Sequence, residues 1–405
     1  MAHSANDGTA VFFFYLRVMA GKAKHVALVL SLNKRFDRKV IEGVTRFVHE
    51  SGLWSVFLED DPAAKVPDFS RGNFDGVIAD LDDPRIPQRV AGLAVPVVGI
   101  GGIDSESPLI GTVSTVGTDN RRIADMAADY LLRLGLRSFG YCGLPTRTVD
   151  PWNRERQEAF SARLNEAGHA CAVYGGRYHP SRSWERLQES LRDWLAALPK
   201  PVGVFAANDV RARHLLETCR RFGMRVPEDV AVIGVDNDEL ICELATPPLT
   251  SIVQGTEEIG YRAAVLLDRL MRRKPRGVTH LLVSPVSVIE RASTDLLATD
   301  DRIVAAALSH IRSHACRGLG VAGVALQIGV SRSTLDSRFK QVVGRTVHEE
   351  IQRVQLNAAK NLLVTTGLPL EEIARRSGFC HAPHFSTLFR RLCGQTPGQY
   401  RRRAR

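Results

Sequence analysis

Asn33 and Asp37 in NKRFD, Asp80 closing DGVIAD, Asn208 and Asp209 closing GVFAAND, and Asp236 with Asn237 closing VAVIGVDN share one placement. Each follows a short apolar run, and a parallel sheet presents ligand-binding groups at the ends of such runs. Trp152 and Arg156 stand in DPWNRERQEAF, which opens a helical stretch. Carboxylates and amides exchange hydrogen bonds with hydroxyl groups, an Arg fork fixes orientation, and an aromatic face covers C–H groups, so this set suits a neutral polyol or sugar. Asp and Asn in such places commonly cap helices or form turns instead. Their recurrence at successive strand ends, together with Trp152 and Arg156, favours a pocket lined by Asn33, Asp37, Asp80, Trp152, Arg156, Asn208, Asp209 and Asp236.

A second constellation lies at the other end of the chain. From Arg302 to Arg405 there are fifteen Arg and two Lys against one Asp and four Glu, a net +12 that leaves the first 301 residues at −2. A basic segment of this size is the footprint of a polyanion partner, because covering phosphates releases condensed counterions. Within it LDSRFKQVVGRT (335–346) is rewritten as FSTLFRRLCGQT (385–396). In VAGVALQIGVSRSTLDSRF, apolar residues at helical spacing run into Gly329 and Val330, then Ser331 caps a second helix that turns Leu335 and Phe339 inward. LEEIARRSGFCHAPHFSTLF repeats the plan, with Phe385 and Phe389 inward. These are two helix-turn-helix units, over 319–341 and 368–392, and EEIQRVQLNAAKNLLVTT between them reads as a long connector helix. Two recognition helices on a rigid connector would meet successive major-groove faces of double-stranded DNA.

Residues 303–403 resemble the DNA-binding domain of the AraC family. The resemblance implies groove-facing positions at Arg332, Ser333, Asp336 and Ser337 in the first recognition helix, and at Ala382, Pro383, Ser386 and Thr387 in the second. Arg338, Lys340, Arg390 and Arg391, with Arg345 and Arg401 to Arg403, are candidates for phosphate contacts, which set position rather than sequence.

The elements that must position the first set are short apolar runs, including HVALVLSL, WSVFLE, DGVIAD, VPVVGIGG, SFGYCG, ACAVYG, GVFAAN and VAVIGVD, alternating with helical stretches. That alternation predicts parallel α/β sheets, and its extent predicts two lobes. The expected architecture is a two-lobed α/β domain of the periplasmic-binding-protein type over 25–293, a linker over 294–302 and an all-α domain over 303–405. Residues 1–24 are expected to form an N-terminal extension, with Met19 as the true start. RQEAF, AAND and IGVDNDEL followed by TPPLTSI make the first domain similar to the ligand domain of the LacI/GalR repressors. With NKRFDRKVIEGV, DGVIADLDD, VPVVGIGG, NDVRARHLL, VIERASTD and IRSHACRG, and with the sugar receptor first and the AraC-type domain last, the sequence resembles the xylose-operon activators over essentially the whole chain. The resemblance implies D-xylose as inducer and activation of pentose-catabolic genes, and the expected partners are operator DNA, a second copy of the chain and RNA polymerase. Divergence around TRTVDPWNRER leaves a related pentose or aldose open, and a repressor or a regulator without a sugar ligand is the rival reading.

Enzymatic alternatives lack their motifs. There is no H-E-x-x-H, G-x-S-x-G or G-x-x-x-x-G-K-[ST], and GIGGID has Asp104 where a dinucleotide fingerprint needs its last Gly. The seven Cys never form C-x-x-C, which argues against a disulfide framework or zinc knuckle and points to a reducing cytoplasm. Cys380, His381 and His384 in CHAPH do not repeat a known zinc spacing. The greasy run from Ala10 to Ala20 is too short to span a membrane. We expect no enzyme activity, no cofactor, no metal and no membrane partner.

Overall fold

A computed structural model of the chain describes residues 23–404, apart from 52, 59–72, 103–108, 110, 145–149, 176–182, 273–276 and 297–300. The expected N-terminal extension lies almost wholly outside the described residues, as do 297–300 of the expected linker and Asp104.

The strands are β1 (Lys24–Val29), β2 (Trp54–Leu58), β3 (Gly76–Asp80), β4 (Val97–Ile100), β5 (Ser114–Thr118), β6 (Ser138–Cys142), β7 (Cys171–Tyr174), β8 (Val202–Ala206), β9 (Val230–Val235), β10 (Thr250–Val253), β11 (His280–Val283) and β12 (Ser287–Ile289). Between them run α1 (Arg35–Ser51), α2 (Pro87–Val90), α3 (Asn120–Arg133), α4 (Pro151–Glu166), α5 (Trp184–Ala196), α6 (Asp209–Arg221), α7 (Glu239–Leu244) and α8 (Thr256–Arg272). They build two six-stranded sheets, in the orders β11-β5-β4-β3-β1-β2 and β12-β10-β9-β8-β6-β7. The ladders are parallel except for β12, which runs antiparallel to β10. Strands such as β9, VAVIGV, are buried along their whole length because helices cover both faces of each sheet.

The chain crosses between the lobes three times. It leaves the first sheet after β5 for α3, whose Ile123, Ala124 and Leu131 join the second lobe's core. It returns after β10 into α8, whose Ile259, Ala263 and Leu267 pack in the first lobe with Val40 and Val44 of α1. The third crossing joins β11 to β12. Crossings of this kind are the segments about which two such lobes can hinge.

The remaining chain is all helical: α9 (Arg302–His314), α10 (Val321–Ile328), α11 (Arg332–Val343), α12 (Val347–Thr365), α13 (Leu370–Arg376), α14 (Ala382–Cys393) and α15 (Pro397–Ala404). Helices α10 and α11 form the first helix-turn-helix. Gly329 turns the chain with φ 75°, and Ser331 accepts from the Thr334 amide as N-cap. In the second unit, α13 and α14, Gly378 has φ 84°, and a Cβ there would stand 2.7 Å from the Ala315 carbonyl oxygen. Any larger residue would force the turn off α9's end, so this glycine is required twice over. Leu335 and Phe339 fill one core and Phe385 and Phe389 the other.

The repeated Gly-x-Thr is a junction rather than a chemical site. Gly344 and Gly394 end the recognition helices in left-handed conformation. Thr346 then accepts from the Glu349 amide at 3.2 Å while Glu349 accepts from the Thr346 amide at 2.7 Å. Thr396 and Gln399 make the same pair at 3.2 and 2.9 Å. Each reciprocal cap satisfies two orphan amides and fixes where the next helix starts.

Candidate functional site

The cleft walls are built from residues just beyond the strands. On the first lobe Asp37, buried at the start of α1, accepts from the Ser31 amide at 2.7 Å, and its Oδ1 is buried with no protein partner. Lys34 reaches Asp80 at 2.6 Å, and the other Asp80 oxygen accepts from the Asp82 amide at 3.0 Å. Asp82 in turn accepts from the Gly102 amide at 3.3 Å. Burial, and then the neighbouring Asp80 charge, push both Asp37 and Asp82 above the usual carboxylate range, Asp82 to about 7. Asn33 is exposed at the rim, where its amide donates to Ser31 Oγ at 3.3 Å.

On the second lobe Arg156 is the centre. It is buried at the start of α4, beneath the Trp152 ring, with its guanidinium carbon 4.8 Å from the ring centroid. Its donors reach Asn120 Oδ1 at 3.0 Å, the Ala207 carbonyl at 2.6 Å and Gln254 Oε1 at 3.1 Å. Gln254 donates to the Asp236 carboxylate, and Thr118 Oγ1 donates to Gln254 Oε1 at 3.0 Å. Asn120, Thr118 and Gln254 stand at two of the lobe crossings, so Arg156 and Asp236 are hydrogen-bonded to the segments that join the lobes. Burial lifts the Asp236 carboxyl above its ordinary range, and Arg156, Gln254 and Arg35 oppose the lift. Arg35 comes from the first lobe, donates to the Asp236 carbonyl at 3.0 Å and so spans the cleft.

The structure brings Asp236, Arg156 and Trp152 together on one wall and Asp37 and Asp80 on the other. It spends Asn208 and Asp209 differently. Asn208 caps α6 by accepting from the Arg211 amide at 2.9 Å. Asp209 is fully buried and accepts from Ser251 Oγ at 2.6 Å, the Asp238 amide at 2.8 Å and the Cys242 thiol at 3.4 Å. Burial, then the Asp236 charge, raise the Asp209 pKa. Sequence reasoning missed Lys34, Arg35, Asp82, Asn120 and Gln254. Gln254 directly follows β10, so the strand-end rule that found Asp236 reaches it once β10 is recognised.

In the helical domain, Arg332, Ser333, Ser337, Arg338 and Lys340 are exposed and Asp336 is half-buried on α11. On α14, Pro383, Thr387, Arg390 and Arg391 are exposed, with Ala382 and Ser386 half-buried. Pro383 sits in the first helical turn, where its missing amide costs no hydrogen bond. Arg332 and Asp336 approach to 3.6 Å, and Arg338 pairs with Asp301 at 3.2 Å. A shallow groove joins Arg332, Asp336, Ser337 and Lys340 to Thr346 and His348, two further residues on the same face.

Comparisons with known proteins agree with both halves. Residues 25–121 match the XylR N-terminal domain, 128–294 a periplasmic binding protein-like domain, and 324–403 a helix-turn-helix domain. The chain is 38% identical over 384 residues to the xylose operon regulatory protein of Escherichia coli K12, covering 95% of this chain and 98% of that protein. It is 34% identical over 377 residues to the protein of the same name in Haemophilus influenzae, covering 93% and 97%. A solved structure of the xylose-binding transcription activator xylR aligns with a TM-score of 0.64 at 37% identity, covering 94% of this chain and 98% of that one. No helix among the described residues is long and apolar enough to cross a membrane. With a two-lobed sugar-receptor fold, a paired helix-turn-helix domain and this likeness along nearly its whole length, the chain belongs to the family of xylose operon regulatory proteins.

Proposed function

We propose that this regulator is a cytoplasmic activator that binds D-xylose in the cleft between its α/β lobes, and that the bound sugar promotes DNA binding by a homodimer. The observation that carries the reading is the Trp152–Arg156–Gln254–Asp236 array facing the Lys34–Asp80 pair across a hinged cleft. Asp37, Asp80, Asp236 and Arg156 supply acceptors and donors to the sugar hydroxyls, Trp152 covers a C–H face, and Asn33 closes the rim. Asn208 and Asp209 hold the second wall in place rather than touch the sugar. Closure reorients the paired sensors so that two helical domains fit repeated operator sites. There Arg332, Ser333, Asp336, Ser337, Ala382, Pro383, Ser386 and Thr387 face bases, and Arg338, Lys340, Arg390 and Arg391 face phosphates. A bound dimer would then recruit RNA polymerase.

The test is to follow thermal stability of the purified chain against a panel of pentoses and hexoses. D-xylose is expected to raise the melting temperature most. Equal response to all sugars, or none, would contradict the assignment.

A further inference from the structure

The helical domain is seated on the sensor through β12 and the residues after it. Ile289, with Val253 and Val286, enters the apolar core that surrounds Phe385 and Phe389 of the second helix-turn-helix and Leu356 of α12. Tyr400 hydrogen-bonds Ser287, Arg353 pairs with Glu290, and Asn357 donates to Glu290 at 3.0 Å. Helix α12, which joins the two DNA-reading units, is therefore fixed to the strand that begins at the third lobe crossing. Meanwhile α15 packs against α8 of the first lobe. The helical domain thus leans on both lobes, and a change in the angle between them must shear one of these contacts.

One residue links this seat to the cleft. Arg291 directly follows β12 and Glu290, and its side chain is only 7% exposed. It donates through Nε to Glu243 at 2.8 Å and through one terminal nitrogen to the Leu249 carbonyl at 2.9 Å. The other terminal nitrogen reaches Asn237 Oδ1 at 2.9 Å and Asn361 Oδ1, on α12, at 3.4 Å. Asn237 is the neighbour of Asp236 on the cleft wall. These two are the described non-glycine residues with positive φ, 111° at Asp236 and 47° at Asn237. Such backbone persists only where the surroundings hold it. The holders here are Arg35 on the Asp236 carbonyl, Gln254 on its carboxylate and Ser251 on the Asn237 amide. Two of the three are cleft residues whose bonds a hydroxylated ligand would compete for. The buried Asn237 Nδ2 has no partner, so this amide is not locked by its own donors.

We propose that Arg291 is the positioning residue that carries the state of the cleft to the DNA-binding domain, through Asn237 on one side and Asn361 on the other. Sugar capture resets the strained Asp236–Asn237 pair, Asn237 moves its grip on Arg291, and Arg291 shifts α12 on its seat. The relay rests on the proposed sugar response, and it makes Arg291 and Asn361 necessary for coupling while neither touches sugar or DNA.

The experiment measures D-xylose affinity of the full chain, with and without a DNA fragment selected by the wild-type protein from a random pool, for wild type, Arg291→Lys and Asn361→Ala. Linkage makes the ratio of the two affinities equal to the factor by which sugar changes DNA affinity, typically about 5 to 150. The wild type is expected to show a ratio in that range. Both variants should bind D-xylose alone within about threefold of wild type, with ratios close to one: Asn361→Ala removes only the 3.4 Å contact to α12, and Arg291→Lys removes the fork that joins Asn237 to Asn361, while neither residue lines the cleft. Asn361 is half-buried and outside both cores, so its truncation leaves the fold intact and keeps the test open if Arg291→Lys is unstable. Wild-type ratios in both variants overturn the relay and leave the sugar response standing. A ratio of one in the wild type overturns the sugar response and the relay together.

Discussion

Asp236→Asn removes one charge from the cleft with the least other disturbance. Asn is isosteric with Asp and, among larger residues, tolerates positive φ well, so the strained backbone at φ 111° survives the change. Arg156 keeps its bonds to Asn120, Ala207 and Gln254, so the guanidinium is not left without acceptors. What is lost is a charged acceptor for a sugar hydroxyl, worth about 1.5 to 3 kcal/mol, which is roughly a 10- to 150-fold loss of affinity. Taking about 2 kcal/mol, the loss is about 30-fold. At a sugar concentration of about 100 times the wild-type dissociation constant, binding stabilises the wild type by about 2.7 kcal/mol and the variant by about 0.9 kcal/mol. For a sensor of this size the sugar-induced rise in melting temperature should shrink from roughly 5–11 °C to roughly 2–4 °C. Differential scanning fluorimetry with and without D-xylose reads this shift, and calorimetric titration reads the affinity. An unchanged titration with Asp236→Asn would refute Asp236 as an acceptor, and a collapse of stability without sugar would show that its role is structural.

Asp82 is shifted up to about 7 by burial and by Asp80, and Asp37 and Asp236 are shifted upward too, so folding contributes stability through these carboxyls that is full below about pH 4 and lost as pH rises through about 7. Hydroxyl donors favour the ionised forms, so D-xylose affinity should rise between pH 5.5 and 8 with release of protons; calorimetry in buffers of different ionisation enthalpy checks it, and a flat profile would count against carboxylate recognition. Arg390→Ala and Arg391→Ala should weaken binding to all sequences alike and reduce the salt slope by about one per lost phosphate contact; gel-shift affinities at several salt concentrations decide. Asp336→Ala and Ser386→Ala should relax base preference at two positions about 10 base pairs apart, as site selection from random DNA would reveal. A single altered position would mean that one unit reads sequence alone.

What could be read from the sequence follows from which signals are local. Strands such as VAVIGV and GVFAA declare themselves because a sheet buried on both faces needs continuous β-branched and apolar residues. β5, STVGT, and β10, TSIV, do not, because their polar side chains are satisfied by distant groups. Ser114 Oγ accepts from the Thr279 amide, Thr250 Oγ1 donates to the Arg291 carbonyl, and Ser251 donates to Asp209. These strands feed the lobe crossings, so the hinge was the least legible part of the sensor. Asp209 and Asp236 look alike in sequence, each closing an apolar run. Only packing separates the one sealed under Ser251, Asp238 and Cys242 from the one that faces Arg156 in the cleft. The helix-turn-helix units were legible because caps, turn glycines and inward Phe residues all act within about ten residues of one another. The seat of α12 on β12 was not, since its partners are joined only by folding.

The most direct test of the whole account is the affinity of the full chain for a wild-type-selected DNA site, measured at fixed salt with and without saturating D-xylose. Sugar cleft and helical domain acting as one device predict a DNA affinity about 5- to 150-fold tighter at saturating D-xylose in the wild type and, at a lower sugar concentration near the wild-type dissociation constant, a much smaller gain with Asp236→Asn than with wild type. Equal DNA affinity with and without D-xylose in the wild type would contradict it.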